Sequence, residues 1–369
     1  MGNRVTADRW ARLLRALGHR VTIVTAWQGQ ACDVLVALHA RKSHGSIARF
    51  RRRHREAPLV VALTGTDLYH DLRTSARARR SLALATRLVV LQPKALASLP
   101  RPYRARARVI RQSAVCPPRG AVPRKGAFEV CVLAHLRPVK DPLRAARAAR
   151  RLPAASRIRV LHAGAALDAP SAARARAEAR ANPRYVWLGP LSRGRARRIL
   201  ARCRLLTVTS RLEGGANVVS EALACRVPIV SSRIDGSIGV LGTNYPGFFD
   251  VGDTRGLAAL LWRAETDARF YRRLAARCRS LARLVDPELE ARAWRRLLAE
   301  IVTSRQGFNS SRGESRLSAR LPPSPASLAA HPPKAAGRTD GDGRRGSRRS
   351  THGGRGRPAP RRRGTRAGR

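Results

Sequence analysis

The stretch that most constrains this chain runs from Leu205 to Ala224. Leu205, Leu206, Thr207, Val208 and Thr209 make a short apolar, β-branched run, the signature of a buried strand. Ser210 to Gly215 then reads SRLEGG, and from Asn217 apolar residues recur at helical spacing: Val218, Val219, Ala222 and Leu223. A strand that turns through two glycines into a helix belongs to a parallel α/β sheet. It also leaves the amides of Gly214, Gly215, Ala216 and Asn217, and the positive end of the helix, facing an anion. Asn217 is expected to cap that helix. Glu213 and Glu221 lie on either side of the turn, placed to accept hydrogen bonds from hydroxyls. A diphosphate between two polyhydroxy rings satisfies both demands, which points to a nucleotide sugar.

The rest of the chain repeats the same alternation. A helix from Gly2 carries Val5, Trp10, Leu13, Leu14 and Leu17 on one face and stops at Gly18. Strands are expected over 20–25, 33–38, 59–63, 88–91 and 108–110, with helices near 42–52, 75–85 and 94–99. Pro117, Pro118, Gly120 and Pro123 read as a linker. A second series has strands near 128–134, 159–162, 185–188, 205–209 and 228–231. Its helices fall near 142–151, 171–181, 193–201, 217–224 and 254–266, with two more over 268–284 and 287–302. The expected organisation is an N-terminal Rossmann-like half (1–117), a linker (118–126), a C-terminal Rossmann-like half (127–285), a closing helix (286–303) and a disordered tail (304–369). Two such halves facing a cleft make a GT-B fold, with the ligand beyond the carboxyl ends of the strands.

A net charge of +52 would ordinarily suggest a nucleic-acid partner. Only five of the 75 basic residues are lysine, however, so arginine paired with abundant alanine looks like GC-rich coding. The body lacks the basic stripe interleaved with aromatics that binds single strands. Nonspecific adhesion to polyanions is expected, and specific nucleic-acid binding is not. Residues 304–369 are rich in Ser, Pro, Gly and Arg and cannot build a core. Asp340 and Asp342 fall there, so their spacing does not suggest a metal site. The six cysteines are scattered without metal spacing and read as thiols of a reducing compartment. No run reaches membrane-spanning length and no signal-peptide core follows Met1, so a cytoplasmic protein is expected.

LAHLRPVKDP follows the strand that opens the second half, and its Arg137 and Lys140 can reach one anion. Together with Glu213, Glu221 and the glycines between them, they resemble the retaining GT-B glycosyltransferases of the family 4 type. GNRVTADRWARLLRALGHRV, VALHARKS, VALTGTDLY, LRPVKDPLRAA and SRLEGGANVVSEALA resemble more closely one branch, the selenosugar synthases of selenoneine biosynthesis. The likeness runs from Gly2 to about Ile301. It implies transfer of N-acetylglucosamine from UDP-N-acetylglucosamine to selenophosphate, giving a selenosugar after phosphate loss, with no metal and no cofactor.

Carried over by position, Arg137 and Lys140 hold the diphosphate, and Glu213 meets the sugar hydroxyls. Gly214, Gly215 and Ala216 offer amides. Glu221 takes the ribose, and the rim at Gly189 and Leu191 packs the uracil. The acceptor side comprises Asn3, Arg4 and Thr6, then His39 and Arg41, then Thr64, Gly65, Thr66 and Asp67. Arg4 is the favoured cation for an anionic acceptor, and Arg137, Lys140 and Glu213 carry the catalytic role. No general base is evident, and selenium in selenophosphate needs none, being already an anionic nucleophile.

The resemblance also implies a strand before Gly2. Met1 stands in its place, so the expected start lies upstream. Two rival readings are a family 4 type transferase with a hydroxyl acceptor on a glycan, lipid or small molecule, and a nucleic-acid-binding protein on a degenerate transferase scaffold. A basic side chain at the acceptor cleft would favour the first. Strong salt dependence of RNA binding without UDP affinity would favour the second.

Overall fold

The computed structural model describes residues 2–118 and 124–318. Part of the linker and most of the tail, with Asp340 and Asp342, lie outside the described residues. One compact unit spans residues 1–314.

Two parallel sheets organise it. The first contains β1 (Leu35–Leu38), β2 (Leu59–Leu63), β3 (Arg87–Val90) and β4 (Ala107–Val109), side by side in chain order. The second contains β5 (Phe128–Leu133), β6 (Ile158–Ala163), β7 (Tyr185–Trp187), β8 (Leu205–Val208), β9 (Ile229–Ser232) and β10 (Phe248–Phe249). Its spatial order is β10-β9-β8-β5-β6-β7. From β5 the chain first works toward one edge and then, at β8, returns to β5 and works toward the other. The loops after β5 and β8 therefore diverge and leave a crevice at the carboxyl ends of neighbouring strands.

Every residue of β2 is buried, as expected for a strand covered on both faces. The two-residue period divides them. Leu59, Val61 and Leu63 cluster with Ile47 and Phe50 of the His44–Arg53 helix and with Ala78 and Leu82 of the Ala76–Leu84 helix. Val60 and Ala62 cluster instead with Trp10 and Leu14 of the first helix, Gly2–Ala16, and with Trp294, Leu297 and Ile301. Those last three belong to the closing helix, which runs Pro287–Ser318, past residue 303. The chain's end thus completes the core of its beginning.

A buried polar knot fixes that return. Glu290, in the first turn of the closing helix, is 2% exposed. It accepts from Arg9 Nε at 3.0 Å, Trp10 Nε1 at 2.6 Å, the Ser113 amide at 2.9 Å and the Ser113 hydroxyl. Trp10 and Trp294 meet edge to face beside it, with ring centroids 4.8 Å apart. Arg108 of β4 reaches Glu300, further along the same helix, at 2.9 Å.

Residues 20–25, expected as a strand, form none. The segment pairs with no strand among the described residues, and a strand exists only by pairing; Ile23 and Val24 are 37% and 40% exposed. The edge strand of the first sheet is β1 instead. The structure also adds short elements that lack a long apolar period: a π-helical turn at Asp67–Asp71, a helix at Asp235–Leu241 and β10. None of the helices among the described residues is long and apolar enough to cross a membrane.

Glu290→Gln should lower the urea midpoint at unchanged slope. Withdrawing the charge leaves the Arg9 guanidinium buried without its counter-ion, at a cost of about 3 kcal/mol.

Candidate active site

Lys140 and Glu213 meet at the crevice, one from each of the two diverging loops. Lys140 Nζ and Ser210 Oγ both bond Glu213 Oε1, the latter at 2.7 Å. The loops are stitched together by Thr209 Oγ1 donating to the Lys140 carbonyl at 3.0 Å and by the Arg211 amide donating to Val139 at 2.8 Å. Lys140 is therefore held by Glu213, while Arg137 lies exposed on the same loop. The expected pair of cations is present, with one of them neutralised by a carboxylate.

Beyond Glu213 the amides of Gly214, Gly215, Ala216 and Asn217 find no acceptor among the described residues. They precede the Asn217–Ala224 helix, whose dipole adds to their partial positive charge. The cap differs from expectation. Ala216 occupies the cap position in extended conformation, and Asn217 is the first helical residue. Its side chain is turned away from the helix amides and accepts from Arg9 Nη1 at 2.7 Å. Glu221 follows one turn later, 8% exposed, with Arg193 Nη2 at 3.1 Å. Gly189, after β7, has a φ of 66° and its carbonyl accepts from Gly164; Leu191 is half-buried just beyond it.

The residues expected on the acceptor side divide into two groups. His39, Arg41, Thr64, Gly65, Thr66 and Asp67 come together after β1 and β2. His39 is 3% exposed at a φ of 83°, and its Nε2 is 3.0 Å from Thr66 Oγ1 and 3.8 Å from Asp71. Burial depresses its pKa, against the opposing pull of Asp67, so the ring is neutral near pH 7. Asp67 is fully buried and accepts from the amides of Ala40, Thr64 and Gly65, which makes it the brace of this loop. Arg41 pairs with Asp71 at 2.9 Å.

The first helix carries the second group. Thr6 is buried and donates to Gly2, and Asn3 is half-buried. Arg4 points outward, its side chain 74% exposed and paired with Asp8. The buried cation of this helix is Arg9, which sequence reasoning passed over. The apolar face of the helix is its only sequence signal, since Arg9 adjoins Trp10 on it.

The two halves touch backbone to backbone. A Cβ on Gly214 would lie 2.5 Å from the Thr64 carbonyl, and one on Gly65 would lie 2.8 Å from the Gly214 amide. Alongside, Gly215 abuts Leu91, and Lys94 pairs with Asp235 at 3.4 Å. The acceptor-side loop and the glycine turn therefore share one seam.

Residues 119–281 match the family model described as Glycosyl transferases group 1. That match falls on the half of the chain that carries the second sheet and the glycine turn. Among solved structures it is similar to Anabaena HepE in complex with UDP, at 17% identity over 74% of this chain and 79% of that one, with a TM-score of 0.59. It is likewise similar to a sucrose-phosphate synthase from Thermosynechococcus elongatus, at 17% identity over 74% of each chain and a TM-score of 0.59. The pneumococcal O-GlcNAc transferase GtfA in complex with UDP and GlcNAc is a further likeness, at 12% identity over 72% of this chain and 57% of that one, with a TM-score of 0.57. These likenesses establish the GT-B fold. No curated protein matches the chain by sequence.

Within the matched segment a buried histidine braces the start of the loop after β5. His162, wholly buried in β6, lies 2.7 Å from the Ala134 carbonyl through Nε2 and 2.7 Å from Tyr185 Oη through Nδ1. A carbonyl can only accept, so we assign the proton to Nε2 and let Tyr185 donate to Nδ1. Burial lowers the pKa to about 4 from a reference of 6.5. The neutral ring's contribution to stability is complete above the reference value and is lost as pH falls toward about 4. The loss is about 1.4 kcal/mol per pH unit over that window. His162→Gln should flatten the fall of the urea midpoint between pH 6.5 and pH 4 relative to the parent chain. A parent and variant with the same slope would rule the histidine out.

Proposed function

We propose that this chain is a glycosyltransferase that moves N-acetylglucosamine from UDP-N-acetylglucosamine to selenophosphate. The observation that carries the donor half is the run of unbonded amides at Gly214–Asn217, flanked by Glu213 and Lys140 on one side and Glu221 and Arg193 on the other. The amides and Arg137 receive the diphosphate, and Glu221 takes the ribose hydroxyls in exchange for Arg193. That HepE is seen with UDP and GtfA with UDP and GlcNAc supports a UDP-sugar donor. In the reaction the anomeric carbon–oxygen bond to UDP breaks, UDP leaves with the electron pair, and selenium forms the new bond to carbon. Hydrolysis of the phosphorus–selenium bond then releases phosphate. The protein's part is to hold the two substrates in contact and to stabilise charge on the departing diphosphate with donors already in place.

Purified protein is given UDP-N-acetylglucosamine and selenophosphate made in situ, with UDP release and selenium-containing sugar followed by mass spectrometry. The chain as written and one extended upstream are assayed side by side. A selenosugar is the expected product. UDP release without selenium in the product keeps the transferase and rejects the acceptor. Glu221→Ala should weaken UDP binding about tenfold or more, and Arg137→Ala should lower turnover about a hundredfold with a smaller change in donor affinity. Unchanged constants in both variants would remove the site.

A further inference from the structure

Arg9 is a cation that the reading of the site does not use. It stands on the first helix, in the N-terminal half, yet its guanidinium lies at the start of the Asn217–Ala224 helix in the other half. Its side chain is 9% exposed. Nε faces Glu290 at 3.0 Å and Nη1 faces Asn217 Oδ1 at 2.7 Å, but the buried Nη2 has no hydrogen-bond partner. Nη2 shares the planar carbon with Nη1, so it lies within a guanidinium's width of the Asn217 side chain, at the residue that begins the helix. Arg193 and Glu221 are close enough for their charges to act on Arg9 as well.

An unpaired, buried guanidinium N–H is costly; Arg111 and Arg197 also hold one, and what distinguishes Arg9 is that its neighbouring Nη1 faces Asn217. Each carboxylate here already has its own cation: Glu290 has Arg9, Glu221 has Arg193 and Glu213 has Lys140. The surplus at this corner is in donors: Nη2, the amides of Gly214–Asn217 and the exposed Arg137. Asn217 holds Nη1 with a neutral amide oxygen, a weaker partner than a charged oxygen would be. A ligand bearing a phosphate-type oxyanion can bond Nη2 and take Nη1 from Asn217 while Nε keeps its hold on Glu290. A planar fork with one arm anchored is well suited to that exchange, and a lysine is not.

We propose that Arg9 is a binding residue for a phosphate-type oxyanion, received jointly by its Nη groups and by the amides that open the Asn217–Ala224 helix. The proposal rests on the glycosyltransferase reading of that turn and adds a contact from the opposite half. The oxyanion belongs either to the nucleoside diphosphate or to a separate phosphate-bearing acceptor, and one set of titrations separates the two.

Full-length protein, with Arg9→Met and Arg9→Lys, is titrated calorimetrically with uridine, with UDP, and with inorganic phosphate in the absence and presence of UDP. Melting curves check the fold. Arg9→Lys keeps a cation against Glu290, so it serves if the methionine variant does not fold. A loss of about tenfold or more in UDP affinity with uridine affinity unchanged is expected if the donor supplies the oxyanion. The same loss for phosphate alone, with UDP unchanged, assigns the oxyanion to the acceptor. Both outcomes support the proposal. Uridine weakened as much as UDP in both variants would make Arg9 a purely structural residue and overturn it, as would UDP and phosphate bound equally by all three proteins. Parent protein that binds phosphate through Arg9 but does not bind UDP would keep the proposal and reject the transferase reading.

Discussion

The architecture depends on the carboxylate of Glu290. It lies in the first turn of the closing helix, yet every donor it satisfies comes from the N-terminal half or its exit: Arg9, Trp10 and Ser113. A buried charge of this kind adds little net stability over an apolar replacement, but removing one partner leaves the other uncompensated. It is therefore better regarded as a device for register than as a source of stability. With Glu290 bonded on several sides, the helix can enter at one place only. Trp294 then falls against Trp10, and Leu297 and Ile301 fall against β2 and β3. Without that helix, one face of the first sheet would have only the first helix to cover it.

The same knot sets the geometry of the crevice. Arg9 binds Glu290 on one edge and Asn217 on another, so the first helix, the closing helix and the Asn217–Ala224 helix are joined at one guanidinium. The second sheet contributes the switch point between β5 and β8, and the first contributes the loops after β1 and β2. Where they meet, the glycine turn faces the Thr64–Thr66 loop with no side chain between them. Position in the chain says little about this. Residues 9, 65, 140 and 217 become neighbours only because strand ends from both sheets face one seam.

Much of this was legible in the sequence. The strand–glycine–helix unit at 205–224 is local, and its parts have short-range causes: β-branching, two glycines and a helical apolar period. Glu213, Gly214, Asn217 and Glu221 were found for that reason, and the alternation of elements gave the two sheets. The reading was less successful where tertiary context decides. The segment 20–25 has a strand's composition but forms no ladder with any described strand. Arg4 was favoured for its place near a helix start, and Arg9 was passed over. The facing of the helix sends Arg4 to solvent and Arg9 inward, and that depends on where Glu290 sits 281 residues away. Asn217 looked like a cap because its type favours caps, but a buried arginine offers its oxygen a charged donor instead.

The seam between Gly65 and Gly214 also bears on how the halves move. Most protein contacts freeze rotamers when they form and release them when they break, so each closure carries an entropic term for every long side chain involved. Here the central contact is main chain on main chain. At that point no rotamer has to be fixed, so the ordering cost of joining the halves falls on the side chains around it: Leu91 against Gly215, Gln92 against Gly239, Arg9 on Asn217 and Lys94 with Asp235. The glycines set how closely the halves can approach, and the surrounding side chains set how firmly they hold.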